Sequence, residues 1–131
     1  MGNLQSGTRV YGTFTSDTSI GYTPGISLAK SVTQISSRTN PVTINAPTGS
    51  IKMYSAGASN NAQSFTVNNT FVGPHDLVMI NPTTGVDQGN YYFFNVKTVS
   101  TGTFAVNFYA PKGSATDAPV LQFALFKGAV N

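Results

Sequence analysis

Apolar and polar residues alternate along much of the chain after residue 30. Phe104, Val106 and Phe108 fall on one side of an extended backbone, and the segment 120–126 repeats this alternation. Because successive side chains of a β-strand point to opposite faces, a period of two predicts strands that are buried on one face. The 3.6-residue period of an amphipathic helix is not seen over any ordinary helix length. We therefore expect strands rather than helices.

Short strand-like segments follow one another from residue 31 to the C-terminus, with turn-forming residues between them. About eight such segments at this spacing predict an antiparallel sandwich or barrel, and eight is the number of strands in a jelly roll. The run 76–80, in which four apolar residues follow Asp76, predicts a buried strand, and the segment 81–85 that follows it predicts a turn. We therefore expect an all-β fold, with residues 31–131 forming an eight-stranded antiparallel jelly-roll-like sandwich.

Residues 1–30 have a different pattern, in which apolar residues stand singly among Gly, Ser and Thr. A free tail would not usually carry as many large side chains as Val10, Tyr11, Phe14 and Tyr22. This composition predicts an extended N-terminal arm that becomes ordered by lying on its own domain or on a neighbouring subunit. We expect these four side chains to form part of a protein interface.

Charge is scarce, and this narrows the classes of partner. Only 8% of the residues are charged, against about 25% in an ordinary domain, and the chain has no Glu and no Cys. The seven basic residues are scattered, whereas nucleic-acid-binding proteins cluster them on one face. No run approaches the ~18 apolar residues of a membrane helix. We therefore expect neither nucleic acid nor a membrane as a partner.

The residues that usually perform catalysis are few. His75 is the only histidine, and it lies in a predicted turn; the four acidic residues are isolated Asp. Zinc sites require three or four ligands, and glycosidases require a pair of carboxylates beside the sugar bond. We expect no enzyme activity, no cofactor and no metal. A calcium site built from one or two Asp and backbone carbonyls is the open alternative.

Four consecutive aromatic residues occupy positions 91–94. A period of two places Tyr91 and Phe93 on one face of a strand, and Tyr92 and Phe94 on the other. A strand that is apolar on both faces is buried on both sides. One side then belongs to the domain core, and the other contacts either a neighbouring subunit or the arm. We predict Tyr91 and Phe93 as interface residues on this basis.

The order of strands and turns resembles that of small tailed-phage virion proteins. The resemblance covers about residues 31–128 and rests on the segments 32–39, 42–45, 47–51, 65–68 (Phe-Thr-Val-Asn), 76–81, 104–107 and 120–127. It is a pattern of strands and turns without a catalytic signature. It implies a capsid decoration (cement) protein or a fibre-associated β-sandwich.

The expected function that follows is structural. We expect a homotrimer on the outer surface of the virion, bound to the major capsid protein, which it reinforces without catalysis. The alternative is a tail-fibre or receptor-binding module that recognises a host glycan. Exposed aromatic residues at a strand end or loop tip would favour glycan recognition. Aromatic residues packed on a flat surface at the base of the protein would favour capsid binding.

Overall fold

The computed structural model describes residues 29–57, 60–86, 91–111 and 116–128. Val10, Tyr11, Phe14 and Tyr22 of the predicted arm lie outside these residues. The described residues form ten strands. These are β1 (Ala29–Thr33), β2 (Val42–Thr43), β3 (Thr48–Lys52), β4 (Ala56–Gly57), β5 (Gln63–Asn68), β6 (Leu77–Thr84), β7 (Phe93–Ser100), β8 (Thr103–Tyr109), β9 (Thr116–Asp117) and β10 (Val120–Phe126).

Two four-stranded sheets form the layers of the protein. Sheet A has the strand order β1-β3-β10-β6, and sheet B has the order β2-β5-β8-β7. The two-residue strands β4 and β9 pair separately. The buried core draws residues from both sheets, so the prediction of an all-β sandwich is confirmed. The finer jelly-roll assignment is not confirmed.

Two strand pairs differ from the predicted antiparallel arrangement. β1 pairs with β3 in parallel, and β2 pairs with β5 in parallel, whereas the longer strand pairs are antiparallel. Parallel neighbours need a crossover, because a hairpin can join only antiparallel strands. Here the chain passes from sheet A to β2 in sheet B and back to β3, which supplies that crossover. Ala29 and Lys30, at the end of the predicted arm, belong to β1.

The core follows the predicted alternation. The residues that β5, β8 and β10 turn inward are almost inaccessible to solvent, at 4% exposure or less: Phe65, Val67, Phe104, Val106, Phe108, Leu121, Phe123 and Leu125. The rings of Phe104 in sheet B and Phe123 in sheet A have centroids 5.5 Å apart at a tilt of 53°, so they join the two layers. Burying one such ring stabilises the fold by roughly 1.5–3 kcal/mol.

Of the run 76–80, residues 77–80 belong to the edge strand β6, which corrects the prediction of a buried strand. Val78 is 6% exposed, but Leu77 and Met79 are 61% and 56% exposed. β6 also continues through the predicted turn 81–85 as far as Thr84. Pro82 is tolerated there because an edge strand does not need every backbone N–H for pairing. The position of β6 at the edge of sheet A follows from the order of the strands in that sheet. The local pattern of apolar and polar residues does not encode that order.

Candidate interaction surface

The outer face of sheet B carries no charge in the paired rows that cross β5, β8 and β7. The rows are Phe93–Tyr109, Asn95–Asn107–Ser64, Thr98–Ala105–Thr66 and Ser100–Thr103–Asn68. The only charged residue of β7 is Lys97, which occupies the irregularity between Val96 and Thr98. The paired rows therefore present two aromatic rings at one end and amides, hydroxyls and the Ala105 methyl along the rest, with the exposed Lys97 beside Thr98.

Phe93 and Tyr109 form a stacked pair on this face. Their ring centroids are 5.0 Å apart and their planes differ by 12°. Phe93 is 52% exposed, and Tyr91, just before β7, is 59% exposed. We call Phe93 and Tyr109 the aromatic pair. Stacking fixes the ring of Phe93 in place although half of it faces solvent, so it is a preordered contact site.

Tyr92 and Phe94 lie on the opposite side of the strand and stack on each other. Their centroids are 5.4 Å apart, and their planes differ by 10°. The strand begins only at Phe93, because Tyr91 has a left-handed backbone with φ of 50°. A left-handed conformation is uncommon for a bulky residue and interrupts the regular extended backbone. The predicted strand therefore starts two residues later than its aromatic sequence.

A buried ion pair lies behind Tyr92. Arg38 is 4% exposed, and its Nη2 lies 2.6 Å from Oδ1 of Asp117, whose side chain is 11% exposed. The guanidinium also donates to the Tyr92 hydroxyl at 2.8 Å and to the Tyr54 carbonyl at 3.0 Å. Its Cζ lies 5.6 Å from the centroid of the Tyr92 ring. A buried charge is costly unless it is paired and hydrogen-bonded. The ion pair and these hydrogen bonds together therefore stabilise the buried guanidinium.

The Tyr92 hydroxyl donates a hydrogen bond to the Asp117 carboxylate. Burial raises the pKa of Tyr92, the hydrogen bond to Asp117 raises it further, and the nearby Arg38 opposes them only in part, so the pKa is about 12. The phenol therefore stays protonated and continues to donate at neutral pH. Tyr92 thus links the start of β7 to the ion pair and holds the strand that carries Phe93.

Gln34 completes this group of polar residues. Its Nε2 donates to the carbonyls of Arg38 and Asn40, each at 2.9 Å, and its Oε1 accepts from the Tyr54 backbone N–H at 3.2 Å. We call Gln34, Arg38, Tyr54, Tyr92 and Asp117 the Arg38 network. It ties the loop after β1 to the segments before β4 and β7. Sequence reasoning missed it, because Arg38 looks like any other scattered basic residue.

The other chemically active side chains are dispersed. His75 is exposed in a turn, and the carboxylate of Asp76 accepts from the Lys127 ammonium at 2.6 Å. No group of three His, Cys, Asp or Glu side chains that could hold a metal occurs in residues 29–57, 60–86, 91–111 and 116–128. Asp17 and Asp87 lie outside those ranges. Over the same ranges no helix has the length and apolar character needed to cross a bilayer.

Comparisons of the chain with protein-family profiles, with curated proteins and with solved structures gave no match. Its function is therefore inferred from its own residues. The described feature best suited to binding is the outer face of sheet B, whose paired rows carry no charge and whose aromatic pair includes the exposed Phe93, supported from behind by the Arg38 network.

Proposed function

We propose that the protein is a structural subunit of a virus particle that binds the outer surface of the capsid and stabilises it without catalysis. The observation that carries the proposal is the outer face of sheet B, whose paired rows carry no charge and where Phe93 is 52% exposed and stacks on Tyr109. The buried centres of protein interfaces are enriched in aromatic residues and depleted of charge. This face therefore suits lasting contact with other protein subunits.

The partner proposed for this face is the major capsid protein. The resemblance of residues 31–128 to small tailed-phage virion proteins supports that choice. A subunit that binds the expanded shell more tightly than the unexpanded one stabilises the expanded form. Many copies on one lattice act together, so each contact needs only modest affinity. A homotrimer fits this role, because a closed threefold ring can span neighbouring capsid subunits.

The proposal is tested with capsids that were assembled without this chain. Full-length wild type, Phe93→Asn and a matched control, Ile35→Asn, are pelleted with the capsids over a range of concentrations. Ile35 is 74% exposed in the loop after β1 and belongs to none of the paired rows. Loss of an interface hot spot costs about 2 kcal/mol, so Phe93→Asn should weaken binding by roughly thirtyfold. The control should bind like the wild type.

Failure of the wild type to pellet with capsids at micromolar concentrations would contradict the proposal. If Phe93→Asn instead bound as tightly as Ile35→Asn, that result would contradict the assignment of the interface to the outer face of sheet B.

Host-glycan recognition is the second candidate function, favoured by one observation. Phe93 lies at the start of its strand, and in the next row the Asn107 amide donates to the Asn95 side chain at 3.2 Å. Aromatic faces stack on sugar rings, and Asn amides both donate and accept hydrogen bonds with hydroxyls. A glycan array probed with wild type and Phe93→Asn separates the candidates. Saccharide binding that is lost in Phe93→Asn, without capsid binding, would establish the second.

A further inference from the structure

A cavity of about 290 Å³ lies beside the loop that follows β1. That loop, the segment around β4 and the start of β5 line it, and six of its lining residues are polar or aromatic: Ser36, Ser37, Arg38, Thr39, Tyr54 and Gln63. None of these six belongs to the paired rows on the outer face of sheet B. Small-molecule sites occupy roughly 300–1,000 Å³, so this cavity, which we call the loop cavity, has room for one small ligand.

The wall of the loop cavity contains a strained turn at Ser36. Its backbone is left-handed, with φ of 72°, and the Ser37 N–H donates to the Ile35 carbonyl at 2.9 Å, across Ser36. A hydrogen bond that spans a single residue with positive φ is the mark of a classic γ-turn, which is rare and strained. Residues held in such conformations cluster at active sites and ligand clamps. The strain therefore marks this wall as a candidate functional site.

Hydrogen bonds within the loop hold this turn in place. Asn40 Nδ2 donates to the Ile35 carbonyl at 2.6 Å, and the Asn40 N–H donates to the Ser37 carbonyl at 3.3 Å. The hydroxyl oxygens of Ser37 and Thr39 lie 2.9 Å apart, within hydrogen-bond distance. Because these contacts are made without a ligand, a ligand that enters the loop cavity does not have to order the loop. Such preorganisation favours binding.

The charge of the loop cavity favours a neutral ligand. Among the described residues that line it, Arg38 alone is charged. The Arg38 guanidinium is already paired with Asp117 at 2.6 Å and donates to Tyr54 and Tyr92. An ionic ligand would leave water without gaining an opposite charge, which is costly.

The lining side chains combine hydroxyls, an amide and one aromatic ring. Ser36, Ser37, Thr39 and Gln63 carry groups that both donate and accept hydrogen bonds. Tyr54 is 38% exposed, while its backbone N–H donates to Gln34 and its carbonyl accepts from Arg38, so the residue that carries the ring is anchored. A pyranose ring matches this set, because it has hydroxyls around its rim and an apolar C–H face that stacks on an aromatic ring.

We infer that the loop cavity binds one neutral pyranose ring, which is either a free monosaccharide or the terminal residue of a glycan. The apolar face of the sugar stacks on Tyr54, and its hydroxyls exchange hydrogen bonds with the Ser36 hydroxyl and the Gln63 amide. The inference does not rest on the proposed capsid binding. It also differs from glycan recognition at Phe93, which lies on the outer face of sheet B.

An NMR titration of the purified full-length chain, without capsids, tests the inference. The ¹⁵N-labelled protein is titrated with the methyl pyranosides of glucose, galactose, mannose and N-acetylglucosamine. A ligand of this size is expected to bind with a Kd on the order of 1 mM. At least one glycoside should give saturable shifts at the backbone amides of Ser37, Thr39 and Tyr54. No saturable shift at these amides from any of the four, at concentrations well above that Kd, would overturn the inference.

Variants locate the sugar on the protein. Tyr54→Ala removes the ring but keeps the backbone contacts with Gln34 and Arg38, and it should weaken binding by about tenfold. Gln63→Ala, at an exposed position outside the loop, should weaken binding by about fivefold and serves if Tyr54→Ala does not fold. Phe93→Asn is the matched control and should bind like the wild type. Loss of binding in Phe93→Asn with wild-type affinity in Tyr54→Ala and Gln63→Ala would move the sugar to sheet B and overturn the inference.

Two further titrations identify the class and the source of the ligand. Sodium sulfate is the anionic probe, and saturable shifts at the same amides from sulfate but from none of the glycosides would assign the cavity to anions and overturn the inference. An oligosaccharide that ends in the preferred ring is then compared with its methyl glycoside. Tighter binding of the oligosaccharide supports a terminal glycan residue as the ligand, and weaker binding supports a free monosaccharide.

Discussion

Arg38 and Asp117 form an ion pair in which Nη2 lies 2.6 Å from Oδ1, although 79 positions separate them in the chain. Their side chains are only 4% and 11% exposed, so the protein has removed both charges from water. This pair joins the loop after β1 to β9, and Tyr92 connects it to β7. It therefore helps to hold in place the strand that carries Phe93.

Breaking this pair should be costly. In Arg38→Met, Asp117 loses its cation inside the protein, and removing one partner of a buried pair typically costs about 3–5 kcal/mol. We expect the free energy of unfolding, measured in urea, to fall by that amount. The control is Lys52→Met at an exposed position, which should change stability by less than about 0.5 kcal/mol. A loss below about 1 kcal/mol in Arg38→Met would show that the network is not structural.

The Tyr92 hydroxyl should lose its proton at a higher pH than an ordinary tyrosine hydroxyl. Its pKa is raised from 10.0 to about 12. A raised pKa in the folded state gives stability that is complete below pH 10 and is lost as the pH rises towards 12. The measurement is ¹³C NMR of labelled tyrosine rings, with the Tyr92 signal assigned by its absence in Tyr92→Phe. A Tyr92 signal that titrates near pH 10 would contradict the hydrogen-bonded arrangement.

Asp76 should make the protein sensitive to acid. Burial acts to raise its pKa, but hydrogen bonds from Lys127, Gly73 and Gly128 outweigh burial and lower it. The carboxylate accepts from the Gly73 N–H at 2.7 Å and from Lys127 at 2.6 Å. A lowered pKa gives stability that is present above the unfolded value of about 3.9 and is lost as the pH falls through the folded value.

The variant Asp76→Asn tests this dependence. Wild type should exceed it in unfolding free energy by about 1–2 kcal/mol at pH 7. Lys127 is 69% exposed, so solvent screening reduces what its charge contributes to this difference. The difference should shrink towards zero as the pH falls below 4, in urea titrations at matched ionic strength. A difference that stays constant from pH 7 to pH 2 would contradict the assignment.

Gly49 should not tolerate a side chain. A Cβ there would lie 2.6 Å from the Lys30 carbonyl oxygen and 2.8 Å from Cδ1 of Ile44. Relieving such overpacking typically costs about 1–3 kcal/mol, so Gly49→Ala should lower the thermal midpoint by several degrees. Gly73→Ala is the matched control, because its nearest contact would be an ordinary 3.5 Å to Asp76. Equal midpoints for the two variants would contradict the close approach of β1 to β3.

The core was predictable because alternation is local. Phe104, Val106 and Phe108 face inward as their spacing indicates, since a strand alternates wherever it pairs. The hairpin between β7 and β8 was also predictable, since Gly102 supplies the positive φ of 77° that its turn uses. These features need no knowledge of what lies across the sheet.

Strand order and the Arg38 network were not predictable from the same pattern. Leu77 and Met79 are exposed because they lie on the outer face of sheet A, and the edge position of β6 depends on where β10 pairs. Arg38 is buried because Asp117 and Tyr92 reach it from distant parts of the chain. Nothing near residue 38 signals those partners. The placement of the aromatic pair on an open face depends on the same long-range order.

The most direct test of the structural role is the copy number of this chain in purified virus particles, relative to the major capsid protein. Quantitative mass spectrometry with isotope-labelled peptides of both proteins provides the ratio. We predict a copy number comparable to that of the major capsid protein, as lattice-wide decoration requires. A copy number far below it, matching a tail or vertex appendage, would contradict capsid decoration and favour glycan recognition.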